Sequence, residues 1–231
     1  MIVCLHQPNY IPSLITISKI ARSDAYIIMD DIKFPMGKTF TSRNRIKTPQ
    51  GSLWLTLPVM KGSDSLQIRE VKLIDNGWNL KHWKTIEANY KRAPFFNEYA
   101  HFFFDIYKNN WYYMQDINIR LLGLIKSLFN LRTEFIYSSE LDAKGNGKDK
   151  ILNLLKKAGA DTYITGWGPG SQRYITEKDF EDNNIKLIKQ EFKHPIYPQL
   201  WQKEFIPNLS IIDYIFNKGV DDFKKDLEIK N

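Results

Sequence analysis

Hydrophobic positions at the start of the chain fall in two short unbroken runs, Ile2 to Leu5 and Ala25 to Met29, separated by a segment of helical spacing from Ser13 to Ala21. A strand that is apolar along its whole length has both faces covered, as in a parallel sheet flanked by helices, so this opening predicts a strand, loop, helix and second parallel strand. His6 follows the first run and Asp30-Asp31 the second. In such a unit both stand at the carboxyl edge of the sheet, where open α/β folds bind their ligands.

Between Phe40 and Ile74 the pattern changes. Ser52 to Leu57 and Leu66 to Ile74 alternate apolar with polar residues on either side of Lys61 to Ser65, which predicts antiparallel strands with one wet face. Trp78 to Lys91, Phe95 to Tyr107 and Trp111 to Phe129 carry amphipathic helical spacing, interrupted by Pro94 and by Asn109-Asn110. The parallel texture then returns in Thr133 to Tyr137, Asp161 to Thr165 and Ile185 to Lys189, alternating with helical segments at Lys148 to Ala158 and Glu177 to Asn183. Pro195 to Pro207 is an extended, aromatic stretch, followed by a helix from Ser210 to Asn217 and a polar terminal helix. The expected fold class is α/β: an open, mostly parallel Rossmann-like sheet with an inserted antiparallel β and helical segment. The whole chain, residues 1–231, reads as one domain with residues 75–131 as a helical insert or subdomain.

Composition adds two constraints. The chain has one cysteine, Cys4, so no intrachain disulfide can form and a reducing compartment is expected. No stretch of about 18 apolar residues occurs and no basic leader precedes an apolar run, which predicts a soluble cytoplasmic protein with no membrane span. The formal charge of +7 and the 14% aromatic content point to an anionic partner. Nucleic acid is not the expected one, because basic residues are spread along the chain in runs of no more than two and no helix-turn-helix, zinc-finger or RNP signature is present. A small phosphorylated ligand, such as a nucleotide-linked sugar, needs only a few of these charges.

Four clusters carry candidate chemistry. His6-Gln7-Pro8-Asn9-Tyr10 packs hydrogen-bonding side chains into a proline-held loop after the first strand, with capping of the next helix as its plainer use. It resembles the opening of the HIGH-type nucleotidyltransferases but departs from it, with Pro8 in the place of glycine and Asn9 in the place of the second histidine. In Arg43-Asn44-Arg45-Ile46-Lys47 the three cations alternate, so an extended strand puts them on one face about 7 Å apart. That spacing suits a diphosphate or carboxylate, and equally a solvated strand edge. Gly166 to Gly170, followed by Ser171, Arg173 and Tyr174, allows close backbone approach to a ligand but is neither a dinucleotide fingerprint nor a P-loop. His194, held extended before Pro195, stands near Tyr197 and Asn208 and offers a second proton carrier beside His6. Asp30 and Asp31 would bind a divalent metal or simply end their strand.

Taken together, His6-Gln-Pro-Asn-Tyr-Ile-Pro12, Lys19-Ile20, Asp30-Asp31, Arg43 to Lys47, Leu55 to Val59, Asn89-Tyr90-Lys91, Tyr163 to Gly166, Arg173-Tyr174, His194-Pro195, Tyr197 to Gln199 and Phe205 to Ile211 resemble the WbqC-like family over residues 2–219. The chain departs from the family pattern at Ser13 to Thr16, where Trp and Gly are expected, and at Lys33, where glutamine is expected. The resemblance implies a role in bacterial surface-polysaccharide (O-antigen) biosynthesis and transfer of an acyl or aminoacyl group, such as glycine, to a nucleotide-linked amino sugar. In that reading His6 or His194 is the base, and Gln7, Asn9, Tyr10, Gly166, Ser171, Tyr174, Tyr197 and Asn208 line the substrate. Arg43, Asn44, Arg45, Lys47 and Arg173 hold its anionic part. The cofactor would be a nucleotide or the acyl or aminoacyl donor itself, and the pattern leaves room for a homo-oligomer. Two rival readings stand beside it: a nucleotidyl- or glycosyltransferase using Asp30, Asp31 and a metal, and a noncatalytic nucleotide-sugar-binding or scaffold protein.

Overall fold

A computed structural model describes residues 1–35, 37, 39–166, 176–201 and 204–229. The chain divides into two compact units. The first comprises Met1–Gln7, Thr16–Asp31 and Arg132–Phe192; the second comprises Pro8–Ile15, Ile32–Leu131 and Lys193–Asn231.

The first unit is built on a five-stranded sheet in which every pairing is parallel. Its strands are β1 (Ile2–His6), β2 (Ala25–Ile28), β5 (Glu134–Tyr137), β6 (Thr162–Thr165) and β7 (Lys186–Lys189), in the spatial order β5-β2-β1-β6-β7. The chain moves outward from β1 in one direction to β2 and β5, then returns to the other side of β1 for β6 and β7. The reversal falls between β1 and β6, whose register is Val3 to Tyr163 and Cys4 to Ile164. Alternation along the strands gives the two faces different partners. Val3, Leu5, Ala25, Ile27 and Tyr163 pack with Leu154 and Leu155 of α5 (Gly147–Lys157) and Phe180 of α6 (Glu177–Glu181). Cys4, Tyr26 and His6 take the opposite face, where Lys19 of α1 (Leu14–Ala21) lies close enough to act electrostatically on Cys4 and His6.

The second unit holds an antiparallel hairpin, β3 (Arg43–Thr48) and β4 (Gly51–Thr56), turned at Pro49-Gln50. Three helices follow, α2 (Trp78–Tyr90), α3 (Phe96–Tyr107) and α4 (Met114–Leu128), and the unit closes with α7 (Ile211–Lys218) and α8 (Phe223–Asp226). Its aromatic core centres on Phe216, whose ring lies 5.0 Å from Phe96, 5.5 Å from Phe103 and 5.7 Å from Tyr90. α7 ends at Gly219, with φ 79° and ψ −164°, a conformation essentially confined to glycine, and a Cβ there would come within 3.0 Å of the Phe95 ring.

The alternation of Leu66 to Ile74 does not produce the expected strand. Ile68–Glu70 is a single 3-10 turn closed by a capping box, in which Glu70 accepts from the Gln67 amide at 2.9 Å. Pairing around it is reduced to isolated bridges such as Val59 to Leu73 and Lys72 to Tyr113. The buried residues, Ile68, Val71 and Leu73, are not spaced by two throughout, and the local cap competes with an extended ladder.

Candidate functional site

The carboxyl ends of the parallel strands collect polar side chains on one edge of the first unit. His6 and Gln7 end β1, Asp30 and Asp31 follow β2, Ser138 and Ser139 follow β5, and Gly166 follows β6. The crevice of an open α/β sheet lies where the strand order reverses, here between β1 and β6. His6, Gln7 and Gly166 therefore flank it.

His6 is tuned by its surroundings. Its Nδ1 lies 2.9 Å from the Gln7 carbonyl, which can only accept, so the proton sits on Nδ1 and Nε2 carries the lone pair. Burial, with a contribution from the Lys19 ammonium, lowers its pKa from 6.5 to about 4. The ring is neutral throughout the physiological range. The backbone beneath is pinned as well: the His6 carbonyl accepts from Met29 N at 2.9 Å and from the Tyr26 hydroxyl at 3.2 Å.

The two aspartates act on the protein itself. Asp30 is buried and accepts from the Ser138 hydroxyl at 2.9 Å, the Ser139 amide at 2.9 Å and the Ser139 hydroxyl at 2.7 Å. Asp31 pairs with Lys150 at 2.6 Å and accepts from Ser138 at 2.5 Å. Burial raises its pKa and those two partners more than offset this, for a net lowering. Both carboxylates thus tie the loop after β5 to the loop after β2. Among the described residues no three His, Cys, Asp or Glu side chains are grouped to hold a metal ion.

The remaining candidates among the described residues belong to the second unit. Tyr10 is fully buried, its hydroxyl 2.7 Å from His82 Nδ1 and 2.7 Å from the Tyr107 hydroxyl, so it serves the interior rather than a ligand. Asn9 keeps a buried Oδ1 with no hydrogen-bond partner among the described residues. Ile11, a β-branched residue, is held at φ 42°, in the left-handed region, while its carbonyl accepts from Asn44 Nδ2 at 2.6 Å. The proline-rich loop after β1 thus stores strain that the hairpin clamps. On β3, Arg43 and Arg45 do share a face, with their guanidinium carbons 4.0 Å and 5.5 Å from the ring centre of half-exposed Trp54. The Nε of each is buried without a partner among the described residues, and Arg45 Nη2 reaches the Asn208 carbonyl at 3.4 Å.

Lys47 leaves that surface. It is 1% exposed, and its ammonium donates to Gln199 Oε1 at 3.0 Å and to the Glu204 carbonyl at 3.3 Å. Tyr197, Gln199 and Tyr90 in turn donate to buried Asp213 at 2.8, 2.7 and 2.8 Å. Burial lowers the Lys47 pKa and raises that of Asp213, the latter against the pull of its hydrogen bonds and of Lys47. His194 stacks on Tyr197 at 6.2 Å and donates from Nδ1 to the Pro195 carbonyl at 2.9 Å, which leaves Nε2 as an acceptor. Ser171, Arg173 and Tyr174, with the rest of the glycine loop beyond Gly166, lie outside the described residues.

Two features escaped sequence reasoning, Asp213 as the hub of a polar interior and Lys19 as a buried cation. The one available signal for Lys19 was a charge directly before the apolar pair Ile20-Ala21, two residues after Ile17.

A family model described as the WbqC-like protein family matches residues 7–225. The chain belongs to that family. This WbqC-like chain is also 33% identical over 222 residues to the uncharacterized protein Rv1507c of Mycobacterium tuberculosis, an alignment covering 95% of this chain and 94% of the relative. No solved structure matches it. No helix among the described residues is long and apolar enough to cross a membrane.

The depressed histidines give the WbqC-like chain a defined acid sensitivity. Burial also lowers His82 from 6.5 to about 4. Between these values the unfolded chain binds protons that the folded one does not, so stability falls as pH drops through 6.5 and levels off for these groups below about 4. The expected loss is roughly 2 kcal/mol per histidine at pH 5. Urea unfolding at pH 7 and pH 5 measures it, and equal midpoints would contradict neutral burial of both rings.

Proposed function

We propose that this protein forms an amide on a nucleotide-linked amino sugar, by acyl or aminoacyl transfer, in the assembly of a bacterial surface polysaccharide. The observation that carries the reading is the neutral His6 beside the strand-order reversal, with its lone pair fixed on Nε2. Membership of the WbqC-like family supports the polysaccharide setting.

In the proposed step the sugar amine attacks the acyl carbon and a C–N bond forms. The carbonyl electrons move to oxygen, and the bond to the donor's leaving group breaks as the oxyanion collapses. His6 Nε2 accepts the proton that the amine nitrogen loses. The Gly166 N–H, at the end of β6, would be a donor to such an oxyanion. An anionic ligand would raise the affinity of His6 for that proton, because negative charge favours the imidazolium. In the second unit, Arg43 and Arg45 over Trp54 offer a surface for an anionic or planar group, and His194 is the alternative proton carrier.

Incubating the protein with nucleoside-diphosphate amino sugars and activated acyl or aminoacyl donors tests the reading. Mass spectrometry should show a sugar nucleotide heavier by one acyl group, with an amide rather than an ester linkage. Binding of the sugar nucleotide without any product would instead favour a binding or scaffold role.

A further inference from the structure

Lys19 sits on α1, the helix that covers the His6 face of the sheet, and it is 4% exposed. An ammonium has three protons to donate, and among the described residues Lys19 has one acceptor, the Leu5 carbonyl at 3.2 Å. The titratable groups that interact with it electrostatically are Cys4 and His6 of β1, neither of them a carboxylate. No described Asp or Glu pairs with it, and the residues outside the described set carry no Asp or Glu side chain.

A buried ammonium with no counter-charge is unfavourable, so it either gives up its proton or takes up a negative charge from a ligand. Its position says where that charge would come from. Helical side chains lean toward the N-terminus of their helix, and α1 runs back from the carboxyl edge of the sheet, so the lysine stem leads toward that edge. Leu5, its acceptor, immediately precedes His6.

We infer that Lys19 is the anion-binding residue of the β1–β6 edge and receives a phosphoryl oxygen of a nucleotide-type ligand there. The inference rests on reading that edge as the nucleotide-sugar site. An incoming oxygen takes up N–H donors that no described acceptor uses and neutralises the buried charge in one contact, and a charge-assisted hydrogen bond of this kind is strong. Burial lowers the Lys19 pKa in the free protein, and an anionic ligand would push it back up.

Titration calorimetry with ADP and with inorganic pyrophosphate, on the wild-type chain and on Lys19→Met, tests it. The wild type should bind at least one of the two probes, and Lys19→Met should bind it about ten- to a hundredfold more weakly. The variant should melt at the same temperature or higher, because an unpaired buried charge has been replaced by an apolar side chain of similar length. Equal affinity in the variant would overturn the assignment of Lys19 while leaving the site standing. Failure of the wild type to bind either probe would overturn both. A second measurement needs no variant: the side-chain NMR signal of Lys19 should shift on addition of the bound probe while that of exposed Lys156 does not. A Lys19 signal that stays in place while the probe binds would equally overturn the inference.

Discussion

Replacing Asp213 with alanine should cost about 3–5 kcal/mol of stability. Its carboxylate is completely buried and takes hydrogen bonds from Tyr197 and Gln199, 16 and 14 residues before it, and from Tyr90, 123 residues before it. Removing it takes the acceptor from two buried hydroxyls and one of the two acceptors from the Gln199 amide, which keeps the Ile206 carbonyl, and deprives buried Lys47 of the negative charge that opposes its desolvation. For a chain of this size the loss corresponds to a drop in melting temperature of about 6–20 °C. Asp213→Asn keeps the shape and one acceptor oxygen, so it should lie between the wild type and alanine. Thermal and urea unfolding measure both, and a loss below about 1 kcal/mol for Asp213→Ala would show that the network does not hold the unit together.

His6→Ala should lower amide formation by about 10²–10⁴-fold, the usual worth of a positioned general base. Affinity for the sugar nucleotide should change far less, since the imidazole acts on the proton rather than on the anionic handle. The pH profile supplies a signature that a purely structural histidine would not give. With the free-protein pKa at about 4, the acid limb of kcat/KM should fall near pH 4 and not near 6.5. Retention of half the activity by His6→Ala would remove His6 from the chemistry and leave His194 as the base.

The parallel strands were legible because a strand covered on both faces must be apolar throughout, and Ile2 to Leu5 and Ala25 to Met29 have no other reading that keeps them short. The candidate edge was legible for the same reason: polar residues that follow such a run have one place to go. The strand order was not, because nothing local says that β1 lies between β2 and β6, which are far apart in sequence. Tyr10 and Lys47 misled in a common way. Each is polar in a loop or strand that looks exposed, and each is claimed by partners 72 and 152 residues away, His82 and Gln199. Asp213 stayed invisible because an acid in the first turn of a helix is ordinarily explained by the helix dipole, while its actual partner Tyr90 is 123 residues distant. Leu66 to Ile74 failed for a local reason, since alternation over a few residues says nothing of a capping pair such as Gln67 and Glu70.

The most direct test of the proposed site is a crystal structure of the protein with a nucleoside-diphosphate amino sugar bound. The ligand should lie across the carboxyl ends of β1 and β6, within hydrogen-bonding distance of His6 Nε2 and of the backbone at Gly166. A ligand seated only on Arg43, Arg45 and Trp54, with the β1–β6 edge untouched, would contradict the assignment of the site.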